Sequence, residues 1–307
     1  MKLNLHLAHL FYTVVQEQGF SRASETLHIS QSAVSKGVKE LEHQLGLALV
    51  DRSGNARRTG TGLRLTQAGQ SLSTHLQGVF ALAHAALEDM QAHSGLQRGT
   101  LDIGASTTVA GYWLAELLAH YTRAYPHITV RTVVGNTLTI ARHLLDCQID
   151  LALVEGEVQH ADIQTSIWRE EPLVIVGAAD TAVNKTTLHT QPWLLREPGS
   201  GTRDVALRLL HEHGIQPTRT LEIGSNEGIA RAAAQGLGLA LLPQCLVQDL
   251  LALGKLRVIP LQAAKKSTPK SPHPIRPLSR PLYRLQHHKR PNTPAAQVFL
   301  ALLDGSN

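Results

Sequence analysis

Three groups of residues carry types and spacings that point to chemistry. Gln31, Ser32, Ser35, Lys36 and Lys39 fall on one face at helical spacing, and no carboxylate interrupts them before Glu40. Side chains of these types read DNA: Gln bonds adenine bidentately, Ser meets either base edge, and Lys meets guanine or phosphate. A solvated polar face has the same composition, so the surrounding elements must decide. Next, Arg52, Arg57, Arg58 and Arg64 are interleaved with Gly54, Gly60 and Gly62, and no acid follows Asp51. This spacing predicts a hairpin wing with a cationic tip for phosphates or a minor groove, against the alternative of a plain surface loop. The third group follows apolar runs: Ser106, Thr107 and Thr108 after LDIGA, Asn136 and Thr137 after Gly135, and Ser200, Gly201, Thr202 and Arg203 after WLLREPG. At helix N-termini such residues offer backbone N–H groups and hydroxyls to small anions, and Arg203 adds a bidentate clamp for a carboxylate or oxyanion. Taken singly, each is equally an ordinary helix cap.

The elements that must position the first group are legible from periodicity. Leu7, Leu10, Phe11, Val14 and Val15 repeat as one apolar helix face. Gly19 is expected to stop that helix, and Ser21 to cap a short second one over 21–28. Ser30 then caps a third helix, with Val34, Val38, Leu41 and Leu45 inward and Gly46 at its end. Two short helices in this order predict a helix-turn-helix, whose second helix enters the major groove. A long helix follows over about 66–92. Its seam of Leu72, Leu76, Val79, Ala83, Ala86 and Met90 has heptad spacing, which predicts pairing with a second chain rather than burial against its own domain. From Gly99 onward, apolar strand-like runs alternate with helical ones (LDIGA, ITVRTVVG, IDLALVEG, then PLVIVGA, LGLALLP and LRVIPL). This order predicts a doubly wound parallel α/β sheet, with ligands at the carboxyl ends of its strands. Glu227 either lines such a cleft or caps its own helix.

Composition narrows the function classes. In 307 residues, 43 % are hydrophobic and 17 % charged, which excludes wholesale disorder. No apolar run is long enough to span a bilayer. The opening segment has no secretory pattern and cysteines number two, so a cytoplasmic protein with reduced thiols is expected. The basic balance, with a pI near 9.4, invites a nucleic-acid reading, yet its distribution undercuts that argument. Residues 1–98 carry nine basic and seven acidic side chains, 99–264 carry twelve and sixteen, and 265–307 carry eight and one. The excess therefore sits in a Pro-rich stretch near the C-terminus, read as a solvated insertion over about 263–281. GSGTR lacks the P-loop pattern, Gly236-Leu237-Gly238 precedes a strand rather than joining strand to helix, and the His pairs lack a third metal ligand at sensible spacing. No nucleophile elbow is present. No enzyme activity, cofactor or metal is expected.

FYTVVQEQGFSRASETLHISQSAVSKGVKELEHQLGLALVDR, followed by LRLTQAGQSL and the long helix, resembles the LysR-type transcriptional regulators. The resemblance covers the whole chain and is strongest in its first 75 residues. It implies a winged helix-turn-helix over 1–65, a dimerisation helix over 66–94 and an effector domain over 95–307. That last domain would resemble periplasmic binding proteins, with one lobe near 99–162 and 282–307 and another near 163–262. It further implies that Gln31, Ser32, Ser35 and Lys36 contact bases or nearby phosphates and that Arg52 and the wing arginines hold the backbone. The implied partners are double-stranded DNA, a small anionic effector, a second copy in a homodimer that assembles to a homotetramer, and RNA polymerase. The chain departs from the family at Ser32, where many members have Pro, at Lys36, where many have Arg, and in a longer wing. EPGSGTR resembles the branch sensing small oxyanions or phosphorylated metabolites. Two rival readings are a helix-turn-helix protein with a catalytic α/β domain and a solute-binding protein.

Overall fold

The computed structural model describes residues 3–51, 63–93, 99–181, 187–260 and 278–305, in two compact units, residues 1–86 and 87–307. Arg52, Arg57 and Arg58 lie outside the described residues, as does most of the basic insertion.

In the first unit, α1 (Leu5–Gln16), α2 (Phe20–Thr26) and α3 (Gln31–Leu45) close over Phe11, Val14, Val34, Val38 and Leu41, all fully buried. Small residues set the crossings. Ala8 and Ala23 are fully buried, and any side chain on Gly37 would meet Leu10. Ser30 caps α3, its Oγ accepting from the Ala33 N–H at 3.2 Å, and Gly46 ends it in the left-handed region at φ 68°. Two expected boundaries differ. Gln18, at φ 55°, makes the left-handed turn after α1, and Gly19 is the extended residue before α2, so Ser21 lies inside that helix. The polar Gln18 side chain offsets the strain by donating to the Val15 carbonyl at 3.2 Å. The base of the expected wing is present as an antiparallel bridge from Val50 to Leu65, with the Asp51 N–H donating to the Arg64 carbonyl.

The long helix α4 (Gln67–His93) divides its seam. Leu72 and Leu76 pack into the helix-turn-helix core, and Phe80 stacks on Tyr12 with centroids 5.2 Å apart. Val79, Leu82, Leu87 and Met90 stay exposed, the last two about three-fifths so.

The second unit begins with β1 (Gly99–Ser106), α5 (Thr107–Tyr112), α6 (Leu114–Ala124), β2 (Ile128–Gly135), α7 (Thr137–Leu145) and β3 (Leu151–Val154). β1 pairs in parallel with both β2 and β3, as the alternating pattern predicts. Trp113 separates α5 from α6, and its indole N–H donates to Glu171. Next comes β4 (Ile163–Ala178), a strand of sixteen residues that passes from one lobe to the other. Beyond it are β5 (Pro192–Leu195), α8 (Gly201–Glu212), β6 (Arg219–Glu222), α9 (Asn226–Ala234), β7 (Ala240–Pro243), α10 (Gln244–Ala252) and β8 (Leu256–Val258). β9 (Ser279–His287) and α11 (Pro294–Gly305) return to the first lobe.

The sheet order β2-β1-β3-β9-β4-β7 is mixed rather than all parallel. β9 runs antiparallel to β3 and β4, and the far end of β4 runs antiparallel to β7 and β8. Two lobes sharing one sheet require strands that cross out and back, and those strands must oppose each other. Ser279, Arg280 and Pro281, assigned from sequence to the insertion, are the first residues of β9. Pairing with β4, more than a hundred positions away in sequence, overrides the loop-like local composition.

Apolar layers cover both faces. Leu101, Ile103, Leu153 and Leu282 pack under α6 and α11, while Ile140, Leu144, Ala152 and Tyr283 pack on the α7 side. Among the described residues no helix is long and apolar enough to cross a membrane.

Gly69 tests the first unit. Its α-carbon lies so close to Leu49 that a Cβ would strike the Leu49 carbonyl, a backbone atom that cannot rotate away. Gly69→Ala is expected to destabilise that unit by about 1–3 kcal/mol, measured as the urea midpoint of its unfolding transition, with the second unit's transition unchanged.

Candidate functional site

The α3 face bears the first group of residues on its open side. Gln31, Ser32, Lys36 and Lys39 are exposed and Ser35 is half-buried, opposite the buried Val34, Val38 and Leu41. The Ser32 hydroxyl lies 3.0 Å from that of Ser30, while Gln31, Lys36 and Lys39 extend from the first two turns. Hydrogen-bonding groups at the start of an exposed second helix suit contact with base edges, and the helix N-terminus favours phosphate.

The second unit brings a different set together between its lobes. A continuous chain of hydrogen bonds runs through buried side chains. Asn226 Nδ2 donates to Thr108 Oγ1 at 2.7 Å and contacts Thr202 Oγ1 at 3.4 Å. Arg280 Nη1 donates to that same Thr202 oxygen at 2.9 Å. Arg280 Nε donates to Glu171 Oε2 at 2.7 Å, and the Trp113 indole donates to Glu171 Oε1 at 2.9 Å. Arg280, Glu171, Asn226, Thr108 and Ser106 are fully buried. Three buried atoms of this cluster make no hydrogen bond: Ser106 Oγ, Asn226 Oδ1 and Arg280 Nη2. The last sits 2.6 Å from Glu171 Oε2 as an ion pair without hydrogen-bond alignment. The Cys245 Sγ lies 3.7 Å from Glu171 Oε1. Burial and then that carboxylate push the thiol up to about 12, so it stays protonated at neutral pH. Cys147 is at the far end of α7 and is likewise raised by burial.

The other expected residues do different work. Arg196 forks onto Glu197 with bonds of 2.8 and 2.9 Å and donates to Thr107 Oγ1 at 3.0 Å, while Asn136 Nδ2 donates to Glu197 Oε1 at 3.1 Å. Burial works to raise the Glu197 pKa, but hydrogen bonds from Arg196, its own backbone and Asn136 outweigh it and hold the carboxyl below its ordinary value. Thr137 Oγ1 accepts from the Gly156 N–H at 3.3 Å, and Gly201 is packed so closely on the Gly156 backbone that it tolerates no Cβ. Thr107, Asn136, Thr137 and Gly201 thus clasp one lobe to the other. Ser200 is buried and precedes α8 without a side-chain cap bond. Arg203 does not reach the cluster. Its guanidinium donates to the Arg196 carbonyl and lies 3.5 Å from Glu222, because its helix position faces β6 rather than β9.

Arg280, Glu171, Asn226 and Trp113 were missed in the sequence. Arg280 was hidden by the basic Pro-rich residues before it. Asn226 had a signal in SNEG, where Ser225, rather than Glu227, caps α9 through the Gly228 N–H at 2.9 Å. Glu227 itself is exposed.

The comparisons with known proteins cover both parts of the chain. Residues 5–70 match the model for the bacterial regulatory helix-turn-helix protein, lysR family, and residues 94–306 match the LysR substrate binding domain. The chain is 30 % identical over 312 residues to the uncharacterized HTH-type transcriptional regulator YeiE of Escherichia coli K12, covering all of this chain and 99 % of that one. Among solved structures, a full-length OxyR from Pseudomonas aeruginosa superposes with a TM-score of 0.69 at 25 % identity, over 99 % of this chain and 94 % of that one. The regulatory domain of Synechocystis PCC6803 CcmR, in complex with 2-PG, gives 0.57 at 26 % identity over 68 % and 97 %. With a helix-turn-helix in its first unit and a two-lobed α/β domain in its second, this chain belongs to the LysR family of bacterial transcriptional regulators.

Proposed function

We propose that this regulator acts in the cytoplasm on promoter DNA as a homodimer that assembles to a homotetramer, and that a small oxyanion bound between its lobes alters how it engages DNA and RNA polymerase. In this reading residues 1–65 hold DNA, 66–94 pair the chains and 95–307 sense the effector. The observation that carries the effector reading is the set of three unbonded buried atoms in the Thr108–Asn226–Thr202–Arg280 network. Buried polar atoms are almost always satisfied. Ser106 Oγ and Arg280 Nη2 are donors for an oxyanion, and Asn226 Oδ1 accepts from a hydroxyl that such an anion still carries. The α8 and α9 N-termini add partial positive charge from the other lobe. The 2-PG complex of the related CcmR domain supports a small ligand in this domain. Dimerisation is supported by the exposed Val79, Leu82, Leu87 and Met90 on one long helix, an apolar stripe that a second copy would bury. A ligand acts only by binding one lobe arrangement better than another.

Ligand binding is read by thermal shift with sulfur oxyanions, carboxylates, sugar phosphates and 2-PG. A ligand at about 100 times its Kd adds about 2.7 kcal/mol, or a Tm rise of about 5–10 °C for a domain of this size. Ser106→Ala is expected to lose most of that rise while binding operator DNA as before; an undiminished rise moves the site elsewhere.

Mobility shifts on the gene's own upstream DNA test the other half. Gln31→Ala is expected to relax base preference at one position by about 1–3 kcal/mol, whereas Arg52→Ala weakens every sequence and flattens the salt dependence by about one unit of slope. Equal behaviour of the two variants would overturn the assignment of α3 as the reading helix.

A further inference from the structure

Arg280 and Glu171 do not make the contact that their two groups ordinarily favour. A guanidinium lying side-on to a carboxylate forms two parallel N–H···O bonds, one to each oxygen. Here Arg280 Nε and Nη2 both lie against a single oxygen, Glu171 Oε2, at 2.7 and 2.6 Å, and only Nε is aligned as a hydrogen bond. Nη1 is taken by Thr202 Oγ1 at 2.9 Å. The other buried carboxylate nearby, Glu155, keeps its Oε1 3.8 Å from Nη2, beyond hydrogen-bond reach. Nη2 is therefore a buried charged donor with no hydrogen bond of its own, although a partner for it is one carboxylate rotation away.

What prevents that rotation is the other oxygen. Glu171 Oε1 accepts from Trp113 Nε1 at 2.9 Å, and Cys245 Sγ lies 3.7 Å from it. Of the two donors the indole N–H is the strong one, a thiol being weak. The indole is itself fixed. Arg169, two residues before Glu171 on β4, lays its guanidinium over the Trp113 ring at 4.3 Å from the centroid, a cation–π contact. The Trp113 backbone N–H donates to the Val109 carbonyl at 3.0 Å. A carboxylate tethered at Oε1 cannot turn that oxygen to Nη2, so the two-oxygen fork does not form.

We propose that Trp113 is a positioning residue for the interlobe site: by holding Glu171 Oε1, its indole N–H blocks the Arg280–Glu171 fork and keeps Arg280 Nη2 free to donate to an oxyanion. The assignment rests on the oxyanion reading above and adds to it the residue that keeps the guanidinium donor available. Trp113 acts through Glu171 and need touch no ligand atom.

The test compares two variants of like size in the full chain. Trp113→Phe keeps an aromatic ring for Arg169 and removes the N–H donor. Trp113→His restores a ring N–H, because imidazole Nε2 falls where indole Nε1 stood. Both are measured at mildly alkaline pH, where the imidazole is neutral, and melting curves confirm that both are folded. The crystal structure of Trp113→Phe is expected to show Glu171 turned so that one oxygen takes Arg280 Nε and the other takes Nη2. Calorimetric titration with inorganic phosphate is expected to give an affinity at least about tenfold weaker in Trp113→Phe than in the wild type, for loss of one charge-assisted donor. Trp113→His is expected to recover most of that loss. Lost packing alone would weaken both variants alike, so their difference reports the N–H. An unchanged Arg280–Glu171 contact in Trp113→Phe overturns the role of Trp113. So does equal phosphate affinity in the two variants when the wild type binds phosphate. A fork in Trp113→Phe beside a wild type that binds no phosphate sinks the oxyanion reading alone.

Discussion

The buried ion pair of Arg280 with Glu171 is the constraint around which the second unit is arranged. Neither side chain has measurable exposure, and charges so far from water persist only with close partners and further hydrogen bonds. Those partners come from everywhere at once. Glu171 stands on β4 and Arg280 on β9, the two antiparallel strands that carry the chain between lobes. Trp113 reaches Glu171 from the helices after β1, and Thr202 takes Arg280 from the first turn of α8. A shift of one lobe against the other must therefore work on this cluster.

The clasp beside it has the opposite character. Thr107, Asn136, Arg196 and Glu197 are already mutually satisfied, and the Gly156–Gly201 contact leaves no room for a side chain. One edge of the interlobe surface is thus closed by complete hydrogen bonding, while the middle retains unmatched polar atoms. Recognition belongs where the matching is incomplete, because a complete network has nothing left to offer a ligand.

Local elements were legible because each rests on short-range pattern. The Ser30 cap, the Val34–Val38–Leu41 stripe and the Gly46 stop place α3 and hence its exposed polar face. The strand and helix alternation gives β1, β2 and β3. The Gln18 turn was not visible because Gly19, the ordinary choice for a left-handed residue, stands beside it. The interlobe cluster was only half visible. Ser106, Thr108 and Thr202 announce themselves at strand-to-helix joints, where the local rule for anion sites applies. Arg280 and Glu171 are 109 positions apart in sequence, and nothing local marks either one as the other's partner. Arg203 stands at such a joint too, and its position around the helix turns it toward the Arg196 carbonyl and Glu222.

The charge balance closes the same argument. Eight basic side chains lie between residues 265 and 290 with no acid among them, a run that reads as solvated and available to nucleic acid. Within β9 and the turn after it, half of them are spent internally. Arg280 meets Glu171, Arg284 meets Asp304 at 2.8 Å, Lys289 meets Asp162 at 2.6 Å and Arg290 meets Asp150 at 2.7 Å. The acids that answer them lie on β4, on α11 and just before β3 and β4, so the local excess is cancelled only once the sheet is assembled. A basic pI is therefore a poor guide to where this chain meets DNA. Gln31, Lys36 and Lys39 stand exposed on α3 in the first unit, whereas the basic residues of β9 and the turn after it help to lock the crossing strands.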